Sequence, residues 1–304
     1  MKWSTRTAPN ELVLTFGDNG ESMPWSSQSN VFSRAREMGF NTGLACWYHP
    51  YCRIIGSSLT QCSLETAGIL FVVNNEIADL VSYSEEVSVA RGMLRVARSV
   101  LLPKMIRVLI PQSEAKVWRN YSVQEFSNIH QRGLEMASDP ELHLIMVHYP
   151  IPHPPGIYDR YNDGFSFNST SGYLDNLALA DRVVKQLRQR MVDAGTWEDT
   201  TLLITSDHRM RVDRVWKDHP IWKPSFTKED PLVSNLRSDK RVPFILKLAG
   251  ESEGVVYEPA FNAVLSHDLI LAILSGDVSE GADGVEWLDR HRSIAKSPYI
   301  EGEK

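Results

Sequence analysis

Two side chains able to bind a metal follow an apolar run in the second half of the chain. The run Leu202-Leu203-Ile204-Thr205-Ser206 stops at Asp207 and His208. A short apolar run of this kind predicts a buried strand, and open α/β sheets hold their ligands beyond the carboxyl ends of the strands. Carboxylates and imidazoles both coordinate divalent cations, so we predict a metal site here. The alternative is a strand end whose Asp caps the next turn.

Two further histidines stand after predicted strands. His49 follows a strand predicted over 42–48, and His153 lies in a proline-rich loop after a strand predicted over 142–147. Because parallel strands end at one edge of a sheet, these histidines and Asp207-His208 should converge there, where they suit metal binding or proton transfer to a leaving group. Alternatively, His49 joins an aromatic cluster and His153 is an ordinary loop residue. Two others, His143 and His148, are interpreted as packing residues.

Strand and helix patterns alternate along the chain, which predicts an α/β fold with a mainly parallel sheet and helices on both faces. Residues 1–304 are expected to form one such domain, with a helical insertion over about 63–135 that covers the sheet. The other predicted elements are strands over 12–16, 200–206 and 242–248, and helices over 31–38 (capped by Asn30, ended by Gly39), 174–193 (ended by Gly195) and 267–274 (ended by Gly276).

Composition excludes several classes of protein. The net charge of −6, without a basic stripe, argues against nucleic acid as a partner. No run approaches the roughly 18 apolar residues of a membrane span, and no secretory signal is visible. The cysteines are Cys46, Cys52 and Cys62. A Cys52–Cys62 disulfide is one option in an oxidising compartment, but free or buried thiols are the preferred interpretation for all three.

Taken in order, four segments resemble the sulfatase-like branch of the alkaline phosphatase superfamily, which includes sulfatases and phosphoethanolamine or lipoteichoic-acid transferases. The resemblance covers roughly residues 29 to 275. The first segment is Phe32 to Leu44, followed by Trp47-Tyr48-His49 where the family has Lys-Trp-His. The second is Leu144 to Pro154, in which His153 takes the histidine position of the family's Pro-His-x-Pro motif. The third, Thr200 to His208, resembles the Thr-Ser-Asp-His-Gly motif, and the fourth, Arg241 to Ile245, resembles the Arg-Val-Pro strand.

The resemblance implies metal-dependent hydrolysis or transfer of sulfate or phosphate esters, on small-molecule, glycan or lipid substrates. Asp207 and His208 would be the metal ligands, for Zn, Mn, Ca or Mg. The ester would be bound or protonated by His153 and His49. A downstream lysine contacts the ester in the family, and the candidates here are Arg211, Arg214 and Lys217.

The chain also departs from the family pattern. Arg209 replaces the glycine after Asp-His, and Cys52-Arg53 lacks the proline and serine of the sulfatase signature. The family's first metal-binding acid and its nucleophile precede the first helix, and neither is identified here. We therefore expect an amino-terminally truncated domain that takes its nucleophile from elsewhere, and a periplasmic or membrane-anchored protein if such a segment is missing. The alternatives are a non-catalytic anion-binding module using Arg209, Arg211 and the histidines, or a structural domain.

Overall fold

The structure, a computed structural model, describes residues 3–4, 13–16, 21–24, 29–47, 50–65, 114–166, 171–208, 227–234 and 241–292. Its strands are β1 (Trp3–Ser4), β2 (Val13–Phe16), β3 (Glu21–Pro24), β4 (Thr42–Trp47), β5 (Gln61–Glu65), β6 (Leu144–Val147), β7 (Tyr158–Asp159), β8 (Gly164–Phe165), β9 (Leu202–Thr205) and β10 (Phe244–Lys247). Its α-helices are α1 (Val31–Glu37), α2 (Tyr51–Ile54), α3 (Glu114–Ala137), α4 (Tyr173–Asp193), α5 (Asp230–Ser234), α6 (Ser266–Ser275) and α7 (Gly281–His291).

A parallel sheet in the order β5-β4-β6 lies at the centre of the site region. Side chains alternate across its middle strand. Leu44 and Cys46 pack with Phe32 of α1 on one face, whereas Ala45 packs with Met136 of α3 on the other. A strand covered on both faces loses the apolar–polar alternation of a half-exposed strand, which explains why β4 is an almost continuous buried segment. The prediction of an α/β fold with helices on both faces of a parallel sheet is confirmed.

The helices begin and end largely where the sequence predicts. The side chain of Asn30 caps α1 by accepting from the amides of Phe32 and Ser33. Helix α4 spans the predicted segment within one residue at its amino end. Gly276 ends α6 with a φ of +82°, in the left-handed region that favours glycine.

Helices α3 and α4 pack side by side over the sheet. Val123 and Phe126 of α3 meet Leu179 and Val183 of α4, and Ile157 from the proline-rich loop completes this cluster. The loop that carries His153 is therefore seated on the same core as the two long helices.

Strands β9 and β10 pair antiparallel, with Leu203 opposite Leu246. The expected mainly parallel sheet is correct for β4 to β6, but β10 runs against β9. Behind this pair, β10 leads into a core formed by α6 and α7, with Leu269 and Trp287 among its buried residues. At the amino end, β1, β2 and β3 form a separate antiparallel sheet that the sequence reading did not predict beyond its middle strand.

Two predictions near β4 are wrong. Residues 63–65, assigned to the helical insertion, belong to β5, which pairs in parallel with β4. Cys52 and Cys62, for which free thiols were the preferred prediction, form a disulfide. They are ten residues apart in the sequence, and their Cα atoms are 5.7 Å apart. Cys46 is a buried free thiol, as expected. The carboxyl-terminal part of the segment predicted to be helical forms α3, and residues 66–113 lie outside the described residues.

Among the described residues, no helix combines the length and the apolar character needed to cross a membrane.

Candidate active site

The candidate site lies where β4, β6 and β9 end. Trp47 is the last residue of β4, His148 follows β6, and Asp207 stands two residues beyond β9. The ring of Trp47 lies 6.0 Å from that of His148 and 5.8 Å from that of His153, measured between centroids. The predicted convergence of these segments on one edge of the fold is therefore present for His153.

Tyr51, at the start of α2, extends this cluster of rings. Its ring centroid is 6.2 Å from that of His148. Burial raises the pKa of Tyr51 to about 12, with further contributions from Cys46 and from the negative charge of Asp207. The phenol is thus neutral at physiological pH and able to donate a hydrogen bond.

Asp207 and His208 lie close enough to His148 to affect its charge. Burial lowers the pKa of His148, the carboxylate of Asp207 acts in the opposite direction, and His208 lowers it further. The Nδ1 of His148 is buried and has no hydrogen-bond partner among the described residues. Asp207 is exposed and His208 is half-buried, and Asp207 Oδ1 lies 3.9 Å from His208 Nε2. A neutral imidazole and an exposed acid–imidazole pair therefore share this edge.

The loop that carries His153 is held by a fully buried amide. Asn176 of α4 donates from Nδ2 to the carbonyl oxygens of His153 and Pro155, both at 3.0 Å, and its Oδ1 accepts from the amide of Ile157 at 2.9 Å. Arg119 of α3 is also buried and donates from Nε to the carbonyl of Gly156 at 2.6 Å. A Cβ on Gly156 would collide with the carbonyl of Ser171, so only glycine fits.

The ring of His153 has a defined tautomer. Its Nδ1 lies 2.6 Å from the carbonyl oxygen of Pro154. A carbonyl oxygen only accepts hydrogen bonds, so Nδ1 carries the proton of the neutral ring and Nε2 carries the lone pair. Nε2 is consequently the nitrogen that takes up or gives back a proton at this site.

A small cavity adjoins His153. It is lined by Trp47, by Ser122 and Glu125 of α3, by Ile157 and by the three loop prolines Pro150, Pro154 and Pro155. Glu125 is only 8% exposed, and its Oε1 has no hydrogen-bond partner among the described residues. Burial raises the pKa of this carboxyl to about 8, and the nearby Glu65 adds to the effect.

The chemistry of Asp207 and His208 fits a divalent cation, because a carboxylate oxygen and an imidazole nitrogen are both common ligands. Zinc sites generally use three or four protein ligands. Within the described part of the chain, no group of three or more His, Cys, Asp or Glu side chains is arranged to hold a metal. The described residues thus supply two donors of a suitable kind, and further ligands would have to come from outside them.

Several predicted site residues lie outside the described residues: His49, Arg209, Arg211, Arg214 and Lys217. His143, interpreted as a packing residue, accepts from the amide of Asn41 and contacts Phe40 at the opposite end of β6 from the site. His148, interpreted in the same way, instead lies in the candidate site. Sequence could have identified His148, since it directly follows a predicted strand just as Asp207 does. Glu125 offered no such signal, because a single Glu in a helix is normally exposed.

Of the comparisons with known proteins, one gives a match. The family model described as Sulfatase matches residues 24–275, which include β4, β6, β9 and β10. No curated protein and no solved structure shows significant similarity to the chain. Since the match extends over more than half of the chain, the protein belongs to the sulfatase family.

Proposed function

We propose that the protein binds and cleaves sulfate or phosphate esters at the edge formed by β4, β6 and β9. Family membership supports an ester hydrolase in general. The observation that carries the proposal is the meeting of His153 and His148 around Trp47, within electrostatic range of Asp207 and His208. Imidazoles beside an acid–imidazole pair suit an anionic ester whose leaving oxygen needs a proton.

In this proposal His153 binds the ester or protonates its leaving group. Its Nδ1 donates to Pro154, so proton exchange with the substrate takes place at Nε2. Asn176 bonds to the carbonyl of His153 itself and to that of Pro155 two residues later, and so holds the backbone that carries this ring. His49 would share the role of His153, and Arg211 and Lys217 would bind the non-bridging oxygens of the ester by charge-assisted hydrogen bonds.

Asp207 and His208 would hold a divalent cation, Zn, Mn, Ca or Mg. Such a cation stabilises negative charge on ester oxygens when bound. Transfer of the group to an acceptor other than water is compatible with the same residues.

A second candidate is anion binding without turnover. It is supported by the departure from the family pattern at Arg209, which places a cation directly after Asp207 and His208 in the sequence. Arg209, Arg211 and the histidines would then recognise an anionic group on a small molecule, glycan or lipid.

The disulfide between Cys52 and Cys62 supports export of the protein to an oxidising compartment, such as a periplasm, because disulfides persist there and are rare in reducing ones. Alkylation of thiols would test this in protein that is taken directly from cells and unfolded in denaturant, which exposes the buried Cys46. One reactive thiol fits the proposal, and three contradict it.

The test of the proposed function compares the wild type with a double variant, Asp207→Ala with His208→Ala. Metal content is measured by elemental analysis, and turnover is measured on aryl sulfate and aryl phosphate esters. The matched control removes another adjacent acid–imidazole pair, Asp268→Ala with His267→Ala, whose side chains are 2.7 Å apart on α6. If only the Asp207→Ala, His208→Ala variant loses metal and turnover, the hydrolase is supported. If the wild type binds metal or ester but does not turn the ester over, the second candidate is supported. A wild type that shows no binding and no turnover would contradict both candidates.

A further inference from the structure

Helix α3 has two different buried faces. Its apolar face, with Val123 and Phe126, packs on α4. Ser122, Glu125 and Asn128, spaced three residues apart, form a polar stripe along the helix. Ser122 and Glu125 line the cavity beside Trp47, and Asn128 donates to Glu65 Oε2 at the end of β5, at 3.1 Å. A polar stripe would ordinarily face water, but this one is directed at the ends of the strands that carry the candidate site.

Glu125 is the unusual member of the stripe. It is more than nine-tenths buried, and its Oε1 has no hydrogen-bond partner among the described residues. The nearest described charge that affects it is another carboxylate, Glu65, which makes ionisation of Glu125 harder. Within the described residues, no ion pair joins a basic side chain to Glu125. A buried acceptor with no donor is unfavourable, and a ligand that supplies a donor would relieve it.

The cavity has the size of one small polar group. It encloses about 20 Å³, which is room for about one water-sized group such as a hydroxyl or an ammonium. Besides Ser122, Glu125 and His153, its walls are formed by Trp47, Ile157 and three loop prolines. A single donor group would thus meet the Glu125 carboxyl and Ser122, with an aromatic wall that also favours a cation. His153 shares the cavity, so a group held there lies next to the proposed ester site.

We propose that the cavity between Glu125 and His153 is a subsite for a hydrogen-bond-donating group, a hydroxyl or a primary ammonium, on the alcohol part of the ester. This inference rests on the proposed function for the identity of the ligand as an ester. Recognition of a donor group by Glu125 would select substrates whose alcohol carries a second polar group close to the ester oxygen. Esters of plain aryl or alkyl alcohols would leave the Glu125 oxygen without its donor.

The experiment uses methylammonium chloride and methanol as probes of the whole protein. Binding is followed by the indole ¹H–¹⁵N resonance of Trp47, assigned with a Trp47→Phe variant. Glu125→Gln preserves the shape of the side chain and cannot ionise. Glu135→Gln makes the same change at an exposed position of the same helix and is the matched control. Ser122→Val fills the cavity without altering Glu125, and it keeps the test valid if Glu125→Gln does not fold.

Wild type and Glu135→Gln are expected to bind at least one probe. If the ligand group is an ammonium, Glu125→Gln should weaken methylammonium binding at pH 8.5 by about tenfold or more, because at that pH the wild-type carboxyl can ionise and form a charge-assisted hydrogen bond that Gln cannot form. If it is a hydroxyl, methanol should bind more tightly than methylammonium, and Ser122→Val should abolish its binding. The subsite would be overturned if neither probe bound to the wild type, or if the probes bound equally well to the wild type and to Ser122→Val.

The outcomes separate the subsite from the proposed function. Ester turnover in a wild type that binds neither probe would contradict only the subsite. Probe binding in a protein that neither binds nor cleaves sulfate and phosphate esters would contradict the ester function and leave a cavity that binds donor groups. A protein that does both should turn over esters of 2-hydroxyethyl or 2-aminoethyl alcohols faster than the ethyl esters, and this preference should be lost in Glu125→Gln.

Discussion

At the scale of single residues, the site region depends on groups whose acid–base properties are set by burial and by their hydrogen bonds. His153 has a fixed tautomer because Nδ1 donates to a backbone carbonyl. Tyr51 stays protonated, and His148 resists protonation because it is buried. Glu125 resists ionisation for the same reason. The combination leaves Asp207 as the exposed acid of the cluster, which suits it to bind a cation that arrives from solvent.

Glu125 should make the stability of the protein depend on pH. Its pKa is about 8 in the folded protein against an ordinary value of 4.5, so the folded state binds the proton more tightly than the unfolded chain. The stabilisation is fully present below about pH 4.5 and is lost as the pH rises through about 8. We expect Glu125→Gln to have the stability of the wild type at pH 4 and to be more stable by about 1 to 3 kcal/mol at pH 8.5. Urea unfolding at both pH values measures the difference.

The control for this prediction is Glu135→Gln. Glu135 is exposed, and its hydrogen bonds with Gln131 and Arg132 lower its pKa, so its effect on stability has the opposite sign. A gain in stability at high pH from Glu125→Gln no larger than that from Glu135→Gln would contradict the assigned environment of Glu125.

At the scale of elements, the His153 loop and α4 act as one unit because Asn176 bridges them. Asn176→Ala would leave the carbonyls of His153 and Pro155 and the amide of Ile157 without this partner. We expect a loss of about 2 to 4 kcal/mol in the free energy of unfolding, since several buried backbone groups lose their hydrogen bonds together. Chemical denaturation of the variant measures it.

The same substitution tests the link from Asn176 to the site. A displaced loop should broaden or shift the His153 ring resonances and weaken ester binding in protein that is still folded. Gln189→Ala, at an exposed position of α4 that bonds only to Asp193 among the described residues, is the control and should change neither. Unchanged His153 resonances in Asn176→Ala would show that the loop is held by other contacts, such as that from Arg119.

The disulfide is a second link between elements near the site. It joins α2, which carries Tyr51, to β5. Closing a loop of ten residues restricts the unfolded chain. The loop-entropy relation gives a stabilisation of about 2 to 3 kcal/mol. We expect Cys52→Ser with Cys62→Ser to lose this amount in urea unfolding. A reducing agent should lower the stability of the wild type to that of the variant and leave the variant unchanged, and an equal effect on both would contradict the bond.

Local sequence signals were sufficient to predict three helices. Helices α1, α4 and α6 could be predicted from apolar residues at helical spacing, from terminal glycines and, for α1, from the capping Asn30, because these signals depend only on neighbouring residues. Strand β5 was missed because its sequence, Gln-Cys-Ser-Leu-Glu, is mostly polar, and its pairing with β4 decides its conformation. The direction of β10 was equally hidden, since an apolar run has the same pattern whichever way the strand runs.

At the scale of the whole molecule, the only part of the candidate site that could be predicted from the sequence is the part that follows from the order of the strands. The predicted strands 42–48, 142–147 and 200–206 can be read from apolar runs, and the edge rule of parallel sheets predicts that His153 and Asp207 approach each other. In the structure β4 and β6 share a parallel sheet, whereas β9 pairs antiparallel with β10. Glu125 and Asn176 come from helices far away in the sequence. Their roles depend on how α3 and α4 pack on each other and on the loop, and a single sequence does not encode that packing in any local pattern.

Cation binding should be visible in the stability of the whole protein. A ligand that binds only the folded state stabilises it by mass action, by about 2.7 kcal/mol at a concentration one hundred times its Kd. If Asp207 and His208 hold a divalent cation, calorimetry should show that zinc or manganese raises the unfolding temperature of the wild type and that a chelator reverses the rise. Asp207→Ala with His208→Ala should abolish the response, whereas Asp268→Ala with His267→Ala should retain it. An equal response in all three proteins would place cation binding elsewhere, because only a site that includes this pair makes the stability of the molecule depend on it.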